Sequence, residues 1–252
     1  MPLAPHNDCD RAYRRACVPR PGEVAFQVVV EQTDLWITAE RDLSGAALDV
    51  VNRLRGELKA YMLLAPAFGY SLAPVPVPPT APEIARDMAA AGAACHVGPM
   101  AAVAGAVAER VAHALAPSSP NVLVENGGDL FLCSTRERVI GLLPDPAQEV
   151  VLGLRLGPRD FPCSVCASSA VIGHSLSLGQ GDLVVVRGAS GAYADAAATA
   201  LCNIVKGKKD LNKVLARAKE LAAAAPKGAI AGVLAQCGGE LAVWGDMELA
   251  VV

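Results

Sequence analysis

Aromatic residues make up only 4% of this 252-residue chain, so rings cannot fill its core. Alanine and glycine take their place, and backbones must approach one another closely wherever elements pack. Basic clusters are also scarce. With a net charge of −3, the chain lacks the Lys/Arg surface a nucleic-acid protein needs to displace counterions. Its one basic run, Lys206-Gly207-Lys208-Lys209, follows an expected helix end, where the helix dipole favours cations. The N-terminal stretch MPLAPHNDCDRAYRRAC has no apolar run of the export type and no lipid-attachment motif, which predicts a cytoplasmic protein with its cysteines reduced. The most apolar region, 88–116, is alanine-rich and broken by Gly98-Pro99; it predicts two buried helices and no membrane span. GxxxxGK[ST], GxSxG and HExxH motifs are all missing, which leaves P-loop, α/β-hydrolase and zincin chemistry without support.

What is present is globular: 53% hydrophobic and 19% charged residues exclude a disordered chain. The length suits one large domain or two lobes sharing a core. Residues 1–21 are expected to form a poorly ordered arm, and 22–252 a single domain. Runs at 24–31 and 35–39 predict a hairpin turning at Gln32-Thr33-Asp34. Asp42 or Ser44 caps a helix whose apolar positions Leu48, Val51, Leu54, Leu58, Tyr61 and Met62 recur at helical spacing. Prolines through 66–82 predict an extended connector. Helices are expected at 83–94 and from Pro99 to 115, the second with Ala101, Ala104, Gly105 and Ala108 available for close approach to a neighbour. Strands follow at 121–125, 130–133, 139–143, 150–156 and 182–187. A helix covers 192–205, another 211–224, and strands at 230–236 and 241–244 close the chain. Hairpin-like strand pairs interspersed with long helices predict an α+β fold with mixed or antiparallel sheets, packed helices and two interlocked lobes. Val124-Glu125-Asn126-Gly127-Gly128-Asp129-Leu130 echoes Ala235-Gln236-Cys237-Gly238-Gly239-Glu240-Leu241, for which a shared hairpin turn is a simpler source than duplication.

Three constellations carry chemistry. Asp195 and Thr199 are four apart and share one helix face about a turn apart; an acid and a hydroxyl there suit a hard cation bridged to phosphate. The competing reading makes Asp195 a dipole-favoured first-turn acid and Thr199 a hydroxyl bonded to the carbonyl four back. Asn126-Gly127-Gly128-Asp129 is either a tight turn or a place where backbone amides approach a ligand beside Asp129. His174 stands between Gly173 and Ser175 in a glycine-flanked loop, as a general base, a phosphate donor or an exposed turn histidine. Cys163 and Cys166 form a lone CxxC with no second pair for zinc, and alternation along a strand accounts for them more simply than redox or metal chemistry.

The order of 97–105 (VGPMAAVAG), 124–129 (VENGGD), Gly173-His174-Ser175 and 194–200 (ADAAATA) resembles the ApbE-like family, whose characterised members are FAD:protein FMN transferases. More closely, it is similar to a cytoplasmic branch of that superfamily with no established function. The resemblance covers roughly residues 24–246. It implies a T-fold-like α+β architecture with a flavin dinucleotide cleft, and a Mg²⁺ ion that helps split the FAD pyrophosphate as FMN passes to a hydroxyl of an acceptor protein. Residue by residue, it implies Asp195 and Thr199 as metal ligands, and Asn126, Gly127, Gly128, Asp129, Gly173, His174 and Ser175 as the cofactor-binding set. His174 and Asp195 are implied to be catalytic, and a backbone carbonyl near Val97 or Gly98 completes the metal site. Pro99-Met100 stand where the family has a lysine, and Leu176-Ser177-Leu178-Gly179 follow the histidine in place of its proline and glycine.

The expectation is therefore a Mg²⁺-dependent, FAD-binding or FMN transferase-like enzyme. The alternatives are a non-catalytic binding module for a phosphorylated or nucleotide ligand, and a thiol protein using Cys163 and Cys166. A small-residue, apolar composition also predicts a homodimer, since it leaves apolar surface to cover.

Overall fold

The expected first hairpin forms: β1 (Val24–Val30) pairs antiparallel with β2 (Thr33–Ala39). Its turn is tighter than the sequence suggests. Val30 pairs with Thr33, so Glu31-Gln32 make the turn, with Glu31 at φ 53°. The structure, a computed structural model, describes residues 19–142, 152–169 and 181–251. Most of the expected arm, residues 1–18, lies outside this range.

Helix α1 (Ser44–Leu64) opens where Asp42 Oδ1 accepts the Ser44 amide at 2.8 Å. Its predicted stripe is largely right: Val51, Leu54, Leu58 and Tyr61 are buried, whereas Leu48 is exposed. The proline-rich connector contains one helical turn, α2 (Ala67–Tyr70), which plants Phe68 fully in the core. Helix α3 (Glu83–Cys95) follows. The next helix does not run continuously from Pro99. A 3₁₀ turn, Pro99–Ala102, ends at Ala102 with φ −118° and ψ 3°, and α4 starts afresh as Val103–Leu115. The restart gives α4 its own N-terminus, with free amides at its second and third residues, Ala104 and Gly105.

The remaining elements are β3 (Val122–Asn126), β4 (Asp129–Cys133), β5 (Arg138–Leu142), β6 (Leu152–Leu156), β7 (Cys163–Ser168) and β8 (Leu183–Gly188). They are followed by α5 (Gly191–Ile204), α6 (Leu211–Ala224), β9 (Gly232–Cys237), β10 (Glu240–Gly245) and β11 (Glu248–Val251), the last not anticipated from sequence. Eight strands form one sheet in the order β1-β2-β3-β4-β7-β8-β9-β10; a second sheet has the order β11-β6-β5. Every described pairing is antiparallel.

Strand alternation separates two cores. Leu35, Ile37, Val124, Phe131, Cys166, Val184, Val186 and Ala235 face the helices. Leu132, Cys163, Val165, Val185 and Leu234 face the small sheet. The chain is thus α+β, with helices on one face of the large sheet. Its strand order exposes a repeat: hairpin, helices, hairpin in β1–β4, and again in β7–β10. The two Gly-Gly turns close equivalent hairpins of these halves, so the sequence echo reports more than a common turn.

The expected close approach is realised at Gly105. A Cβ there would lie 2.2 Å from the Gly191 carbonyl oxygen, and a Cβ on Gly191 would lie 2.2 Å from that of Gly105. Backbone thus packs on backbone where α4 crosses α5. Among the described residues no single helix is long and apolar enough to cross a membrane; the pair α3 and 99–115 bends by 103°. Its apolar residues, among them Ile84, Met88, Val107 and Val111, are buried in the body.

Candidate functional site

Helix α5 is alanine-rich and buries most of its length, so the acid it carries is buried with it. Asp195 is only 9% exposed. Its Oδ2 accepts the Gly105 amide at 2.9 Å, and the Ala104 amide also hydrogen-bonds this carboxylate. Asp195 therefore satisfies the free N-terminal amides of α4. Helix α4 returns the interaction: Glu109 Oε2 accepts the Gly191 amide at 2.7 Å and faces the Ser190 hydroxyl at 3.3 Å. Each helix caps the other across the glycine contact.

The Asn126–Asp129 hairpin brings a second acid to the same place. Gly127 and Gly128 adopt φ 70° and 102°, conformations that favour glycine, and Asn126 pairs with Asp129 across the turn. No atom lies within 4 Å of where a Gly128 Cβ would stand, so backbone conformation and not crowding selects glycine. Asn126 Nδ2 donates to the Ala104 carbonyl at 3.1 Å, and the Gly128 amide donates to Glu125 Oε1 at 2.7 Å. Asp129 is buried; its Oδ1 accepts the Ala167 amide at 3.2 Å, and the Cys166 thiol hydrogen-bonds the carboxylate.

Two buried carboxylates thus sit close enough to perturb each other. Burial lifts Asp195 to about 7, against the pull of the two amides. Burial and the neighbouring Asp195 charge lift Asp129 well above the usual carboxylate range. Burial, then both carboxylates, push the Cys166 thiol up as well. No Lys or Arg forms a salt bridge with either acid among the described residues. Thr199 lies one turn beyond Asp195, half-buried, on the same helix face. No group of three or more His, Cys, Asp or Glu among the described residues is arranged to hold an ion. A cation here would need other oxygens: the Thr199 hydroxyl, a carbonyl or the ligand itself.

The structure brings Asn126, Gly127, Gly128, Asp129 and Asp195 together, with Thr199 on the helix that carries Asp195. Gly173, His174 and Ser175 lie outside the described residues. Two α4 amides, those of Ala104 and Gly105, face Asp195, and the Ala104 carbonyl is held by Asn126. Gly98 O accepts the Ala101 amide at 3.1 Å, and Val97 O packs over Gly92. The CxxC cysteines face opposite sides of the sheet, three residues apart on β7, with Cys163 in the small-sheet core and Cys166 beside Asp129. The six described cysteines are free, and burial pushes the Cys163 thiol to about 12. A nucleophilic thiolate has no support there. Sequence reading missed Glu109, and it named Ala104 and Cys166 without their contacts to Asp195 and Asp129; strand alternation from Ser164 would have placed Cys166 toward the helices.

An antiparallel α+β fold with a buried acid pair at a helix crossing defines the architectural class. A family model described as AbpE bacteria matches residues 15–246, and the chain belongs to this ApbE-like family. It is similar to the UPF0280 protein of Methanocaldococcus jannaschii, 38% identical over 202 residues, covering 77% of this chain and 82% of that protein. The UPF0280 protein of Methanopyrus kandleri is 40% identical over 200 residues, 79% of this chain and 80% of that one. Among solved structures, the chain resembles the flavin transferase ApbE from Vibrio cholerae with a TM-score of 0.56 at 13% identity, over 89% of this chain and 97% of that one. It also resembles the ApbE protein from Thermotoga maritima, with a TM-score of 0.51 at 14% identity, over 87% and 96%. At these identities the likeness establishes the fold, and the expected ApbE-like α+β architecture is the one observed.

Proposed function

We propose that the chain is a Mg²⁺-dependent FMN transferase-like enzyme that binds FAD and acts on its pyrophosphate bond. The observation that carries this reading is the buried Asp129–Asp195 pair, which no cationic side chain among the described residues neutralises. Burying uncompensated carboxylates is costly, and a site that keeps them is suited to a cation supplied from outside. Apart from the Cys166 thiol on the Asp129 side, the donors are hard oxygens, which fits magnesium: Asp195 and the Thr199 hydroxyl would hold it, with oxygens of the ligand and water. When bound, the ion would polarise the phosphoryl group and offset charge on the leaving oxygen.

The chain's own residues would do the rest. Asn126 fixes the Ala104 carbonyl, and Gly128 leaves open space through which a ligand can approach the backbone. Asp129 holds the end of β7 through the Ala167 amide. His174, flanked by Gly173 and Ser175, would hydrogen-bond a phosphate oxygen or take the proton of the acceptor protein's hydroxyl. Incubation with FAD and Mg²⁺ should release or transfer FMN with formation of AMP, and chelation should abolish it. FAD binding without any turnover would instead support a non-catalytic nucleotide-binding module. The absence of both FAD binding and a Mg²⁺-dependent thermal shift would refute the proposal outright.

A further inference from the structure

Buried polar groups are ordinarily paired, because an unmade hydrogen bond costs the full desolvation of the group. Five described side chains carry a buried polar atom without a partner: Trp36, Arg55, Ser168, Arg187 and Gln236. Arg55 and Arg187 use their other nitrogens in ion pairs. Trp36 alternates away from Leu35 and Ile37, and Gln236 away from Ala235 and Cys237, so both lie on the sheet face opposite the helices. Ser168 differs. It is two residues beyond Cys166 on β7, so its side chain faces the helices as that of Cys166 does. It is only 5% exposed, and α5 packs over its strand. The preceding amide, of Ala167, is the one that Asp129 Oδ1 accepts. An unpaired, buried hydroxyl therefore lies one residue beyond the amide that Asp129 accepts.

We propose that Ser168 is a ligand-contacting residue whose hydroxyl donates to a phosphate oxygen of the nucleotide pyrophosphate held at the Asp129–Asp195 pair. The proposal rests on the functional reading above and adds a contact to it. Phosphate is the ligand atom type that fits. Two carboxylates repel it unless a cation lies between, and a small neutral donor beside the Asp129-bound amide adds a hydrogen bond without adding charge. Ligand binding would then satisfy an oxygen that the free protein leaves unpaired, which explains why the fold tolerates it.

The test compares the full-length wild type with Ser168→Ala by calorimetric titration in Mg²⁺, using FAD, ADP and riboflavin as separate probes. Thermal melts of the ligand-free proteins run alongside. The free proteins should melt together, or the variant slightly higher, since Ala removes an unpaired hydroxyl. Kd for FAD and ADP should rise at least tenfold, and any binding of riboflavin, which has no phosphate, should not change. Unchanged Kd values for FAD and ADP, with wild type binding both, would overturn the Ser168 assignment alone. So would a ligand-free melting point several degrees lower in the variant, which would reveal a structural partner for the hydroxyl. Wild type that binds neither FAD nor ADP in Mg²⁺ would remove the functional reading and this contact with it.

Discussion

Replacing Asp195 by Asn should stabilise the ligand-free protein at alkaline pH, against the usual expectation for a buried residue with two hydrogen bonds. The carboxyl rises to about 7 in the folded protein. In the unfolded chain it titrates near 4, so over those roughly three decades the folded state binds a proton that the unfolded state has lost. Stability therefore falls as pH rises from about 4 to about 7 and levels off above that, by about 4 kcal/mol if the whole difference is realised. Asn mimics the protonated acid, and its carbonyl oxygen can still accept the Gly105 amide. The difference between variant and wild type should be near zero at pH 4 and grow to about 2–4 kcal/mol in the variant's favour at pH 8. Comparing the two proteins at each pH cancels the titration of groups that do not feel Asp195; Asp129, relieved of that neighbouring charge, adds to the difference in the variant's favour. Urea denaturation from pH 4 to 8 reads the difference directly. Mg²⁺ should reverse the order, raising the melting point of wild type at pH 8 and leaving the variant unmoved. A variant that is less stable at pH 8 by 1 kcal/mol or more, with the Mg²⁺ response intact, would show that Asp195 is a capping residue and nothing else.

Gly105→Ala places a Cβ 2.2 Å from the Gly191 carbonyl, so α4 and α5 must separate. A loss of about 1–3 kcal/mol is expected in urea melts, and Gly191→Ala should cost a similar amount without adding to it in the double variant. Glu109→Ala removes the cap on α5 and should cost about 1 kcal/mol, with Glu109→Gln retaining part of it because an acceptor remains. Cys163 and Cys166 should resist iodoacetamide at pH 8 in the native protein and react once it is unfolded in urea; rapid native labelling would contradict their burial. Leu63, Leu64, Tyr70 and Leu72 are exposed around the end of α1 and the segment after it, and sedimentation at micromolar concentration should show a dimer.

Most of the fold was legible because its signals are local. Alternation and helical spacing placed nearly every strand and helix within a residue or two, and small residues at 101–108 announced a close crossing. Three features were not legible, each for a non-local reason. The Glu31-Gln32 turn was read late because Thr33 and Asp34 look like turn formers, yet Thr33 is needed to pair with Val30. Pro99 is a good first residue for a helix, but the chain spends it on a 3₁₀ turn, and the α4 N-terminus that matters lies at Val103. The pairing of Asp195 with Asp129, 66 positions away in sequence, depends on β4 and α5 meeting through β7, which no local pattern contains.

Of the two sequence readings of Asp195, a helix-terminus acid is observed in altered form, and the cation ligand is the one proposed above. Asp195 is not in the first turn of its own helix; it serves the N-terminus of α4 instead. An ionised carboxylate offers about four acceptor positions, and the Gly105 and Ala104 amides account for two. Those amides also orient the remaining lone pairs, while Asn126 holds the Ala104 carbonyl. In the proposed function, capping and cation binding would be cooperative rather than exclusive: the mutual cap fixes the crossing, and the fixed crossing would aim the oxygens. Glu109 offers the way to separate them. It holds the crossing from the far end without contacting either acid, so Glu109→Ala should weaken Mg²⁺-dependent stabilisation in proportion to the loosened crossing, whereas Asp195→Asn should abolish it. Equal loss of the Mg²⁺ response in both variants would mean that the response reports helix docking and not a cation at Asp195.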